Sequence, residues 1–133
     1  MGSATAFAQN IDTENLEKSA EIINRSSKKE KVGYLVSFLD KVKHYPSKFA
    51  AASTADRAAA SNKIQLEHNL MLWTVFKNYK EKEIVKIQKA TSKAYDDCLT
   101  LLNGDEWSKE RQNGLDKKVA SAKDLIKTYN LSE

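Results

Sequence analysis

The sequence predicts an all-α fold: an up-and-down antiparallel bundle of about four main helices with one or two short extra helices. Three observations predict it. Four glycines, one proline and 8% aromatics in 133 residues supply too few turn residues and β-rich runs for a sandwich or barrel. Apolar residues recur at three- and four-residue steps over most of the chain, the spacing that gathers them on one face of a helix. Polar breaks with capping residues divide these runs, and helices joined by short connections must bury their faces against one another. An array of five or six shorter helices satisfies the same pattern. The length suits one domain, and 41% hydrophobic with 30% charged residues argues against disorder.

In chain order, Asp12 is the expected cap of a first helix carrying Leu16, Ala20 and Ile23. Ser26-Ser27 interrupts it. Ser27 and Glu30 have capping-box spacing, so a second helix should start near Lys28. Its stripe is Val32, Leu35, Val36, Leu39 and Val42, flanked by Tyr34 and Phe38, and Pro46 should end it by excluding helical dihedrals at the preceding residue. A single helix over residues 47–103 would be about 85 Å long at 1.5 Å per residue, too long for this domain. Ser53-Thr54 is the best break. The next apolar steps are Leu66, Leu70, Trp73 and Phe76, then Ile84, Ile87, Ala94, Cys98 and Leu101. Lys77 and Lys80 fall where that seam should continue, which requires a shift of face, a bend or an exposed segment near Tyr79. Asn103-Gly104-Asp105 should stop one helix with a left-handed cap and restart another at Asp105. Asn113-Gly114 is a further expected interruption, before a last helix with Leu115, Val119, Ala122, Ile126 and Tyr129 on one face.

Residues 1–8 read differently from the rest. They end in Ala6-Phe7-Ala8, small residues at the positions signal peptidase accepts, so residues 1–8 are expected to be the disordered remnant of a secretory signal or an added tail. Residues 9–133 then form a single helical domain in a periplasmic or secreted protein. Ala6 replaces the Ser or Thr that myristoylation prefers. No run of 18 apolar residues occurs.

Catalytic and cofactor motifs are not found, and neither a cofactor nor enzyme activity is expected. The two histidines, His44 and His68, do not fit a metal pattern, because Gln65 stands where a di-iron Glu-x-x-His motif needs glutamate. His68 and Met71, three apart, could in principle hold haem, but a surface histidine beside a core methionine is the simpler reading. Cys98 is alone, so it forms no intramolecular disulfide and, on the apolar stripe, behaves as a small hydrophobe. There is no Gly-x-Ser-x-Gly elbow and no phosphate-cradling glycine loop.

Charge is more informative. Six lysines against two glutamates between Lys77 and Lys93 give a surplus of four positive charges, equal to the formal net charge of the whole chain. Lys82, Lys86, Lys89 and Lys93 follow four-three-four spacing and line one helix face. Such a ridge attracts an acidic protein or an anionic envelope surface. Nucleic acid is the weakest option, since arginine, its commonest base reader, occurs only at positions 25, 57 and 111. Tyr79 and Trp107, beside polar residues, are expected to join the lysines in the partner surface, whereas Trp73 and Phe76 should be core. The function expected is non-catalytic macromolecular binding, as an inhibitor, immunity-type protein, chaperone or secretion accessory. The alternatives are a carrier of haem or another small ligand, with a pocket near Lys77 to Lys80, and an enzyme dependent on Cys98.

Overall fold

A computed structural model describes residues 14–77, 79–104 and 106–129. Expectations for residues 1–8, Asp12 and Asp105 lie outside them. The described residues form five helices: α1 (Leu16–Arg25), α2 (Lys28–Lys48), α3 (Thr54–Met71), α4 (Lys82–Asn103) and α5 (Lys109–Thr128). A π-helical segment, Leu72–Phe76, prolongs α3.

Most starts are set by short polar side chains that accept a backbone N–H the helix leaves unpaired. Asn15 accepts from Lys18 at 3.1 Å, Ser53 from Asp56 at 3.1 Å and Ser108 from Arg111 at 3.2 Å. Ser27 and Glu30 form the full capping box: Glu30 N–H donates to Ser27 Oγ at 3.2 Å, and Ser27 N–H donates to Glu30 Oε1 at 3.0 Å. The bond from the Ser27 backbone N–H, with help from the Ser27 hydroxyl, holds the Glu30 carboxyl below its ordinary pKa.

Side-chain pairs fix the helix directions. Lys41 meets Glu67 while Phe38 meets His68, so α3 runs against α2. Lys118 pairs with Asp97 across the short α4–α5 connection, which makes those two antiparallel. Asp40 pairs with Lys123, and the Lys43 carbonyl accepts from Gln112, so α5 runs against α2. The order is therefore up, down, up, down. α2 and α4 form a parallel pair in contact at the centre, α3 and α5 flank it without touching each other, and α1 lies against α2, α3 and the π-helical segment. The all-α bundle holds.

The central position of α2 explains its burial on several sides: Val32, Tyr34, Leu35, Phe38, Leu39 and Val42 are all core. α4 contributes Ile84, Ile87, Ala94, Cys98, Leu101 and Leu102, and α5 contributes Leu115, Val119, Ala122 and Ile126. Each large side chain removed from water in this way stabilises the fold by about 1.5–3 kcal/mol.

Several local expectations need correction. α2 continues past Pro46 to Lys48. The proline removes one donor, but Tyr45 and Phe49 pack edge to face at 5.3 Å and both lean on the core, carrying the helix a last half-turn. Asn113-Gly114 does not interrupt α5. Gly104 ends α4 with φ 175°, an extended rather than left-handed conformation, and Ser108 starts the next helix. Trp73 is 50% exposed instead of core. The π-helical turn fits more residues per turn, so the three-four count slips: Thr74, Val75 and Phe76 turn inward and Trp73 outward. The same α3 face buries Glu67 and His68 while Leu66 is only half-buried.

Candidate functional site

The ridge sits on α4 because its two faces are sorted by sequence. Ile84, Ile87, Thr91, Ala94 and Cys98, at alternating three- and four-residue steps, are buried. Lys82, Lys86, Lys89 and Lys93 follow the same steps displaced by two residues, which at about 100° per residue puts them on the opposite side. All four are exposed. Among the described residues none of the four carries an ion pair, whereas Lys41, Lys118 and Lys123 do.

This arrangement works against the helix that carries it. Like charges three or four residues apart destabilise by about 0.2–0.5 kcal/mol per pair, and the ridge contains three such pairs. Lys82 also stands in the first turn, where the helix dipole disfavours a cation and favours the neighbouring Glu83, while the last turn has no basic residue. An approaching anion relieves both costs.

Beside the ridge, α4 and α5 enclose an open groove of about 500 Å³, lined by Lys86, Lys89, Ala90 and Lys93 from α4 and by Lys118, Ser121 and Leu125 from α5. Its surface is mostly apolar, because the lysine stems line it along with Ala90 and Leu125. Lys118 bonds Asp97 at 2.7 Å across the same helix pair.

The structure brings the four lysines together but not the two aromatics. Tyr79 lies before α4, half-buried against the core, with the Lys28 and Lys31 ammonium groups each 5.5 Å from its ring centroid. Trp107 lies beyond the other end. Its Nε1–H donates to Gln112 Oε1 at 2.9 Å, and Gln112 Nε2 donates to the Lys43 carbonyl at 2.9 Å and to Asp116 at 2.8 Å. The 22 residues of α4 separate Tyr79 and Trp107 by about 30 Å. Trp107 instead borders a separate shallow cleft with Gly104, Glu106, Ser108 and Arg111. Sequence reasoning missed Ala90, Lys118 and Leu125, since only the α4–α5 register places them beside the ridge.

The interior holds a polar cluster. Glu67 is fully buried, with Oε1 2.8 Å from Lys41 Nζ and Oε2 without a hydrogen-bond partner. His68 is buried too, not a surface residue. Its ring stacks on Tyr95 at 3.9 Å, with Phe38 at 5.9 Å, and burial lowers its pKa against a small opposing pull from Asp96. Met71 is in the core. Cys98 is wholly buried, and desolvation, aided by Asp97, pushes its pKa up to about 12, so the thiol stays protonated at neutral pH. Among the described residues it makes no hydrogen bond to a histidine, and no group of three His, Cys, Asp or Glu side chains could hold a metal ion. No described helix is long and apolar enough to cross a membrane.

No protein-family model, curated protein or solved structure matches this chain.

Proposed function

We propose that this is a non-catalytic, secreted or periplasmic bundle that works by binding an acidic protein, as an inhibitor, immunity-type protein, chaperone or secretion accessory. One observation carries the reading: four exposed lysines, without ion pairs among the described residues, set along one face of α4 against their own repulsion. A solvated face needs charge, but it does not need four like charges stacked at three- and four-residue steps on one ridge. The ridge steers the partner in, and binding acts by covering or holding the partner's acidic surface. A haem carrier draws no support from His68, whose ring is stacked on Tyr95 with Phe38 beside it.

The test is charge reversal of Lys82, Lys86, Lys89 and Lys93 to Glu, with polyglutamate as the probe and stopped-flow association as the readout. Wild type should associate at a rate that falls steeply as the Debye length shrinks from about 10 Å at 0.1 M salt to about 3 Å at 1 M. The variant should lose at least tenfold in rate at low salt and keep its helical circular dichroism. Equal rates for the two proteins overturn the proposal. Wild-type binding to anionic phospholipid vesicles but not to polyglutamate replaces the acidic protein with an envelope surface.

A further inference from the structure

Resting on that reading and narrowing it, we infer that the α4–α5 groove receives an acidic amphipathic helix of the partner protein. The ridge alone would suit any polyanion. The groove beside it does not, because its surface is mostly apolar and only its rim is charged. Ala90 and Leu125 offer an apolar seat that an extended polyglutamate chain leaves empty. A flat anionic surface meets the lysine tips and never reaches that seat.

The dimensions suit a helix. On α4 the groove runs from Lys86 to Lys93 and on α5 from Lys118 to Leu125, each about 10 Å, or two helical turns. A helix laid between two antiparallel helices presents a stripe of apolar residues at three- and four-residue steps, which fits a floor of that length. Carboxylates flanking the stripe on one side then meet Lys86, Lys89 and Lys93, while Lys118 on the other side already holds Asp97. Asp97 already shows the contact in miniature: a carboxylate carried on a helix bonds Lys118 at 2.7 Å. The three α4 lysines of the groove have no such partner among the described residues.

The occupant is therefore recognised by two terms. Charge governs approach and falls with salt, while the apolar stripe adds an attraction that salt does not screen. Three labelled probes separate them: a 14-residue Leu/Glu peptide designed as an amphipathic helix, a scrambled peptide of equal composition, and polyglutamate. Fluorescence anisotropy at 0.1 M and 1 M salt is the readout. The amphipathic peptide should bind wild type at least tenfold more tightly than the scrambled one and retain binding at 1 M salt. Ala90→Trp, which fills the floor, should erase that difference and leave polyglutamate binding unchanged. Ser121→Trp, at an exposed position on the same groove, gives the same outcome if the Ala90 variant fails to fold.

Equal binding of the amphipathic and scrambled peptides, or no effect of either tryptophan, overturns the groove inference while the lysine reading stands. Unchanged binding of all three probes by the four-lysine reversal variant overturns both. Tighter binding to anionic vesicles than to the amphipathic peptide also overturns the inference, in favour of a lipid surface.

Discussion

Replacing Lys41 with methionine should destabilise the protein by about 3–5 kcal/mol, the cost of leaving a buried charge without its partner. The structure sets the size and the asymmetry. Glu67 is 0% exposed and its second oxygen already lacks a hydrogen bond, so without Lys41 the carboxylate has no described partner. Lys41 keeps 21% of its side chain exposed, so after Glu67→Met its ammonium can still reach water, and that variant should lose only about 1–2 kcal/mol. The double variant Lys41→Met/Glu67→Met exchanges the ion pair for apolar contact and should lie within about 1 kcal/mol of wild type or above it. Urea unfolding followed by circular dichroism gives the three differences. At roughly 4 °C per kcal/mol for a chain of this length, Lys41→Met should also lower Tm by more than 10 °C. A loss below about 1 kcal/mol for Lys41→Met, or a double variant as unstable as that single one, would refute the account of the buried pair.

Two further outcomes follow from the helix interiors. Gly114 lies inside α5, and a Cβ added there meets no atom within 4 Å, so Gly114→Ala should raise stability by about 0.5–1 kcal/mol in the same urea assay. His68 is held neutral by burial, so the unfolded chain takes its proton at the ordinary value near 6.5 while the folded chain resists to lower pH. Its contribution is present above 6.5 and is lost as pH falls through the folded value. Tm should therefore drop between pH 7.5 and pH 5, and His68→Phe, which keeps a ring against Tyr95 and Phe38, should flatten that drop. Glu30, lowered from 4.5, acts below this window.

The fold was legible where a local rule and the tertiary packing agree. Ser27 with Glu30 and Ser53 with Asp56 are contacts within one turn, so spacing alone locates two helix starts. The ridge is legible for the same reason, as a property of one helix. Failures occur where distant packing outweighs a local signal. Pro46 is overridden by the Tyr45–Phe49 contact against the core, and Asn113-Gly114 by a helix held at both ends, through Gln112 to the Lys43 carbonyl and through buried Leu115 and Val119. Trp73 faces outward against its spacing because a π-helical turn changes the helical period there. His68 and Glu67 are polar residues buried by partners on α2 and α4, which no spacing within α3 reveals. The groove needs the α4–α5 register, set by contacts such as Asp97–Lys118.

On the reading proposed above, an acidic partner binds the α4 lysine face. Amide chemical-shift mapping during titration with the acidic amphipathic peptide tests it most directly. Perturbations should concentrate on residues 82–93 of α4 and 118–125 of α5, with the amides near Tyr79 and Trp107 little affected. Perturbations centred on Tyr79, on Trp107 or on the exposed Trp73, with the α4 lysine segment unmoved, would contradict it.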